Sequence, residues 1–208
     1  MSNLSARPDT ILFATGNPFK AKLFEPVFRA HGLTCLTLAD IETRYPIAET
    51  GRTALENALL KARAYHGPEW PFVFGDDAGM EVDALGGEPG VQARRWGGRF
   101  PDTVSDEAWL DYLLERLDGV PLAQRTARYV AAWVLIAPDG TEHIRNVYHE
   151  FTIAEQRLRP IIPGSPMSAV ELHYEEHLAR RQEHIATEWQ AWDILPRVLN
   201  QYRTKEHS

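Results

Sequence analysis

The sequence predicts an α/β protein. A strand, a glycine turn and a helix follow one another at residues 10–30, and a short apolar run at 72–74 precedes two aspartates. Farther on, two long β-rich segments flank Pro138-Asp139-Gly140. Strands that alternate with helical segments argue for one sheet covered by helices.

Residues 10–15 form an apolar run ending at Gly16, and from Pro18 the positions Phe19, Leu23, Val27 and Ala30 recur at helical spacing. Residues 33–38 read as a second strand, and 52–65 as a helix stopped by Gly67-Pro68. Residues 72–74 read as a buried strand whose C-terminal end delivers Asp76 and Asp77, where open α/β sheets collect ligands. Residues 80–85 alternate as a further strand, and 86–98, with five glycines and Pro89, read as a loop. Ser105 is the expected cap of a helix reaching about Leu117. Strands at 125–137 and 141–153 flank the Asp139-Gly140 hairpin signal, and their length predicts that they run through both lobes of a two-lobed domain. Pro160 to Pro166 break the pattern, and the remainder to about Tyr202 is expected to be helical with an interruption near Pro196. One domain over 1–208 is expected, with about nine residues at its start and about five at its end as tails.

The composition narrows the function. A formal charge of -7 and a pI near 5.6 argue against a general nucleic-acid or anionic-membrane surface, so phosphate binding should be local. The single cysteine, Cys35, lies in an apolar run and cannot form an internal disulfide, which suits a reducing cytoplasm. The first ten residues are polar, and no run of 18 apolar residues occurs. A cytoplasmic protein is the expectation.

Four islands carry the chemistry: Thr15-Gly16-Asn17-Pro18-Phe19-Lys20, Glu49-Thr50-Gly51, Glu56-Asn57-Ala58-Leu59-Leu60-Lys61 and Asp76-Asp77-Ala78-Gly79. The chain has only four lysines, and two of them, Lys20 and Lys61, fall inside the islands. Gly16 permits close backbone approach, Thr15 and Asn17 offer polar side chains, and the following helix start presents N–H groups to an anion. Asn57 and Lys61, four residues apart, share a helix face with Thr53. Adjacent carboxylates at Asp76 and Asp77 repel each other unless a cation is near, and Glu49 supplies a third. Hard oxygen ligands of this kind suit Mg²⁺.

In this order the islands resemble the inosine triphosphate pyrophosphatase family, a group of house-cleaning nucleotide hydrolases. The likeness is specific from Ile11 to about Arg99, through the Thr-Gly-Asn-x-x-Lys turn, Glu-Thr-Gly, Glu-Asn-Ala-Leu-Leu-Lys-Ala-Arg-Ala and Asp-Asp-Ala-Gly-Met-Glu-Val-Asp-Ala-Leu-Gly-Gly-x-Pro-Gly-Val. It continues more weakly through Arg128 to Gly140. The resemblance implies an elongated mixed sheet in two lobes with a central cleft, helices on its faces, and a homodimer. It implies that Thr15, Gly16, Asn17, Lys20, Asn57, Lys61 and the backbone of Ala78 bind a nucleoside triphosphate, and that Glu49 and Asp77 hold magnesium. Asp77 would be the general base, assisted by Asp76, and the products would be a nucleoside monophosphate and pyrophosphate.

The likeness stops after Glu150. The family's Phe-Gly-Tyr-Asp-Pro loop, its lysine and its Ser-His-Arg segment, which stack on and read the purine, are all missing, and His177 stands where the lysine would be. Asp-Asp-Ala-Gly also replaces the family's Asp-Asp-Ser-Gly. Base selectivity is therefore expected to be altered or relaxed, with Arg180, Arg181 and His184 as candidate substitutes. Trp96 and Arg95 match an aromatic-basic stretch of the family, while Trp189 and Trp192 read as core or dimer contacts. A different class of function also fits, a regulatory nucleotide binder that kept the phosphate turn and lost catalysis. One rival motif, His173-x-x-Glu176-His177 with His184 beyond it, matches a zinc peptidase pattern. Such a five-residue match is cheap in a chain with eight histidines, and the nucleotide reading is preferred.

Overall fold

A computed structural model describes residues 9–192 and residue 197. Its strands are β1 (Thr10–Phe13), β2 (Thr34–Thr37), β3 (Val73–Val82), β4 (Pro89–Gly90), β5 (Thr126–Ile136) and β6 (Glu142–Thr152). Its helices are α1 (Pro18–Ala30), α2 (Ala54–Tyr65), α3 (Asp106–Arg116) and α4 (Tyr174–Trp192). The sheet is mixed, with order β2-β1-β3-β5-β6 and β4 paired to β3. None of the described helices is long and apolar enough to cross a membrane.

The chain divides into two compact units. The first takes residues up to Asp77, Ala132–Asn146 and the chain from Gln182; the second takes Ala78–Ala131 and Val147–Arg181. The long strands β5 and β6 therefore contribute residues to both, as their length predicts.

In the first unit β1 pairs in parallel with β2 on one edge and β3 on the other. α1 links β1 to β2, and α2 links β2 back past β1 to β3, so the two connections step in opposite directions and right-handed crossovers put their helices on opposite faces of the sheet. The packing follows this rule. Phe13 meets Phe24 and Phe28 of α1 at 5.4 and 6.2 Å between ring centroids, and Phe74 meets the same two rings at 5.1 and 5.3 Å. Leu12, Ala14 and Val73, the alternate residues, pack with Ala54, Ala58 and Ala62 of α2. Each buried phenylalanine contributes about 1.5–3 kcal/mol through the water it leaves.

β3 departs from expectation. The runs at 72–74 and 80–85 are not two strands around an acidic turn, because one ten-residue strand passes straight through Asp76-Asp77. Glycine and aspartate are poor strand formers, but here tertiary contact overrides propensity. An added Cβ on Gly75 would lie 2.4 Å from the Ala58 carbonyl oxygen, and one on Gly79 would lie 2.8 Å from the Gly90 carbonyl oxygen. Both glycines are where another backbone closes onto the strand.

In the second unit Ser105 caps α3 as predicted, its Oγ accepting from the Ala108 N–H at 3.1 Å. Trp109, Leu110 and Leu113 of α3 pack against Val82, Phe151 and Val170 in one core. The segment read as a loop at 86–98 also holds β4 and a 3₁₀ turn at Trp96–Gly98. Helix does not begin at Pro166: a 3₁₀ turn at Pro166–Ala169 comes first, and α4 starts at Tyr174. The stretch between β6 and α4 is folded back on itself, with Ala154 N–H bonded to the Val170 carbonyl at 2.7 Å and Leu158 N–H to the Ala169 carbonyl at 2.8 Å.

Candidate active site

Strand order β2-β1-β3 makes the gap between the C-terminal ends of β1 and β3 the point where the connections diverge, the place such sheets bind ligands. After β1 the chain turns through Thr15, Gly16 and Asn17 into α1. Asn17 is the N-cap: its Oδ1 accepts from the N–H groups of Phe19 at 2.9 Å and Lys20 at 3.4 Å, while Thr15 Oγ1 accepts from the Asn17 N–H at 3.1 Å. These oxygens shape the turn. Gly16 has neither a left-handed backbone nor any described atom within 4 Å of where a Cβ would sit. The packing around it does not demand glycine, and the space in front of it is open.

Side chains alternate along a strand, so neighbours in β3 point to opposite faces. Phe74 faces α1, Gly75 meets α2, and the rhythm continues into the acidic pair. Asp76 turns to α1, where its Oδ2 lies 2.5 Å from Lys20 Nζ. Asp77 turns to α2, where its Oδ1 lies 2.6 Å from Lys61 Nζ and its Oδ2 accepts from Asn57 Nδ2 at 3.1 Å. Both aspartates are buried, with 4 and 6 % of their surface exposed. The adjacent carboxylates are thus relieved of their repulsion by one ammonium each, delivered from opposite faces. Ala78, next in β3, is half-buried.

Gly75 is what brings α2 close enough. With only hydrogen at that position, the Ala58 backbone rests directly on β3, and Asn57 and Lys61 on either side of Ala58 reach Asp77. The 49–51 loop arrives next to them. Gly51 N–H donates to Asn57 Oδ1 at 2.8 Å, and Glu49 Oε1 lies 3.2 Å from Lys61 Nζ. Thr53 caps α2 through its Oγ1, which accepts from Glu56 N–H at 3.1 Å.

Electrostatics in this cluster are strong. Burial works to lower the Lys20 pKa, but the charges of Asp76 and Asp77, the hydrogen bond to Asp76 and the charge of Glu49 outweigh it, and the net shift is upward. Among the described residues no group of three or more His, Cys, Asp or Glu side chains gathers as a metal site. Two carboxylates do converge: Glu49 Oε1 and Asp77 Oδ1 both lie within 3.2 Å of the one Lys61 nitrogen. Mg²⁺ needs no more from a protein than one or two carboxylates, taking its other ligands from water and phosphate. The donor set fits Mg²⁺.

Arg95 is bonded to Asp102, and buried Trp96 donates its indole N–H to Glu88 Oε2 at 3.1 Å. Arg180 is exposed on α4, and the side chains of Arg181, His184, His177, Trp189 and Trp192 lie outside the described residues. The zinc pattern loses its geometric basis, since His173 precedes α4 with φ of 55° and is not one helical turn from His177. A hollow of about 310 Å³ lies along the other flank of the 15–17 turn, bounded by Ala21 and Lys22 of α1 and Cys35 and Thr37 of β2. It contains none of the paired lysines or aspartates. Gly75 was missed from sequence, because what demands glycine there is the Ala58 backbone packed against it, a contact between distant segments.

The sequence model of the Ham1 family matches residues 11–158. The chain belongs to the Ham1 family. Its relatives include a dITP/XTP pyrophosphatase of Thermus thermophilus, 45% identical over 130 residues, which are 62% of this chain and 60% of the relative. The dITP/XTP pyrophosphatase of Bacillus subtilis is 36% identical over 145 residues, 70% of this chain and 72% of that one. The match therefore spans about 60% of the Thermus protein's length. Among solved structures, a nucleoside-triphosphatase / dITP/XTP pyrophosphatase from Mycobacterium abscessus aligns with TM-score 0.62 and 27% identity, covering 86% of this chain and 96% of that one. Membership in the Ham1 family bears out the resemblance carried by the four islands. The family match ends at residue 158, shortly after Glu150.

Proposed function

We propose that this chain is a Mg²⁺-dependent nucleoside triphosphate pyrophosphohydrolase, converting a nucleoside triphosphate and water to a nucleoside monophosphate and pyrophosphate. The observation that carries the reading is the pairing of Lys20 with Asp76 and of Lys61 with Asp77 and Glu49 at the divergence of β1 and β3. The names of the relatives, dITP/XTP pyrophosphatases, support the same chemistry.

The residues divide the work among phosphate binding, proton transfer and alignment. A polyphosphate arriving at the 15–20 turn draws the Lys20 and Lys61 ammonium groups from carboxylate to phosphoryl oxygens, placing positive charge where pyrophosphate gathers negative charge. Gly16 leaves room beside it. Asp77, released from Lys61, accepts the proton of a water molecule as that water's oxygen bonds to the α-phosphorus. The bond from the α-phosphorus to the bridging oxygen breaks, and its electron pair leaves with pyrophosphate. Asp76 keeps Lys20 aligned. Mg²⁺, held by Glu49 and Asp77, would neutralise phosphate charge and orient the chain of phosphates.

With the family's base-reading motifs absent, selectivity among bases is proposed to be altered or relaxed. A cytoplasmic homodimer that binds neither nucleic acid nor membrane completes the proposal. Pyrophosphate release from a panel of ribo- and deoxyribonucleoside triphosphates, with and without Mg²⁺, tests it. The expected result is Mg²⁺-dependent release with little discrimination by base. Nucleotide-dependent thermal stabilisation without turnover would instead identify a regulatory binder.

A further inference from the structure

Asn57 lies on the polar face of α2, yet its amide does not point to an open surface. It is 2 % exposed, and both ends of the amide are held by protein groups. Oδ1 accepts from the Gly51 N–H at 2.8 Å, and Nδ2 donates to Asp77 Oδ2 at 3.1 Å. One planar group therefore joins the loop that carries Glu49 to the carboxylate of Asp77. These are the two residues to which the proposed function assigns the metal.

The fit on the loop side is tight. A Cβ on Gly51 would lie 2.6 Å from Asn57 Oδ1 and 2.9 Å from the Asn57 backbone nitrogen, so only glycine lets the loop come this close. A second anchor beside it, Arg52 N–H to Glu56 Oε2 at 2.5 Å, holds the loop to the same turn of α2. On the strand side, fixing Oδ2 leaves Oδ1 as the oxygen turned toward Lys61 and Glu49. An amide, with a donor and an acceptor on one rigid plane, can hold both partners at once; a carboxylate or an amine cannot.

We propose that Asn57 is a positioning residue rather than a substrate contact: its amide sets the spacing between the Glu49 loop and Asp77, and so the affinity for the divalent cation. The inference rests on the pyrophosphohydrolase reading and deepens it. Groups that orient metal-binding carboxylates commonly change metal affinity about 10- to 100-fold when removed.

The test uses the full chain with Asn57→Ala, Gly51→Ala and the double variant. Mn²⁺ binding is followed by electron paramagnetic resonance in the presence of a non-hydrolysable triphosphate analogue, and turnover is followed as a function of Mg²⁺. Each single variant is expected to weaken Mn²⁺ binding about tenfold and to raise the half-saturating Mg²⁺ to match, with the KM for nucleotide nearly unchanged. The double variant should be no worse than the poorer single one, because both cut the same link. Unchanged Mn²⁺ binding with only a lower melting temperature, or effects that multiply in the double variant, would overturn the positioning role. If Asn57→Ala does not fold, Gly51→Ala alone decides by the same metal measurement, since it leaves the contact with Asp77 in place. A wild-type chain that neither binds Mn²⁺ with nucleotide nor releases pyrophosphate refutes the enzyme reading itself; an active wild type with unaffected variants refutes only the role of Asn57.

Discussion

Lys20 and Lys61 each pair with a buried aspartate but in different settings, and their substitutions should separate. Lys61 touches Asp77, Glu49 and the Asp76 carbonyl, so Lys61→Met should leave two carboxylates facing each other with no cation between them. A loss of turnover on the order of 10² or more is expected for Lys61→Met, measured as pyrophosphate release. Asp77→Asn should lose on the order of 10² to 10⁴ in rate while still binding nucleotide, because it removes the proposed proton acceptor and keeps the shape. Lys20 carries a pH signature. Its folded pKa lies above the usual 10.5, so the stability it gains from Asp76 is complete below that pH and is lost as pH climbs through the raised value. Urea midpoints should fall on that alkaline limb, and Lys20→Met should flatten it. At Cys35, burial first, with Glu25 and Asp40 nearby, pushes the thiol up to about 12, so little thiolate exists at neutral pH. These residue types were legible from sequence because lysine is scarce in the chain and the islands concentrate it with carboxylates.

At the scale of elements, the contact of α2 with β3 at Gly75 governs the site. Gly75→Ala puts a methyl 2.4 Å from the Ala58 carbonyl oxygen, and since that atom is backbone the whole helix must shift. A loss of about 1–3 kcal/mol in urea denaturation is expected, together with reduced turnover as Asn57 and Lys61 move off Asp77. Gly67→Ala, where the added methyl meets nothing within 4 Å, is the control and should be near neutral. In the second unit a buried cation plays an organising part. Arg125 is 4 % exposed and donates to the carbonyls of Leu117 at 2.6 Å, Val120 at 2.9 Å and Ala154 at 3.1 Å. Its charge sits at the C-terminal end of α3, where a helix presents negative potential. Arg125→Met should cost about 3 kcal/mol or more in denaturant titrations, since three carbonyls lose their donor. Neither contact could be foreseen locally. A glycine reads as a turn and an arginine as surface until the element packed against it is known.

For the molecule as a whole, the alternation of strands and helices was readable because apolar periodicity and capping residues are local signals: α1 and the capped start of α3 fall where predicted. The passage of β3 through its acidic pair was not readable, because what keeps it extended is contact with α2 and β4. The residues between β6 and α4 carried no periodic pattern, and their order comes from scattered bonds such as Ile162 N–H to Ser168 Oγ at 2.9 Å. The alternation along β3 also makes segment length critical. Removing the residue between Phe74 and Asp76 would hand Asp77 to Lys20 and strand Lys61, whereas adding one would hand Asp76 to Lys61 and strand Lys20. Adding two would restore the facing but advance both groups by about 7 Å, beyond any lysine's grip. Neither odd nor even changes are survivable there, so relatives that keep this chemistry should differ along that stretch by substitution and never by a gap.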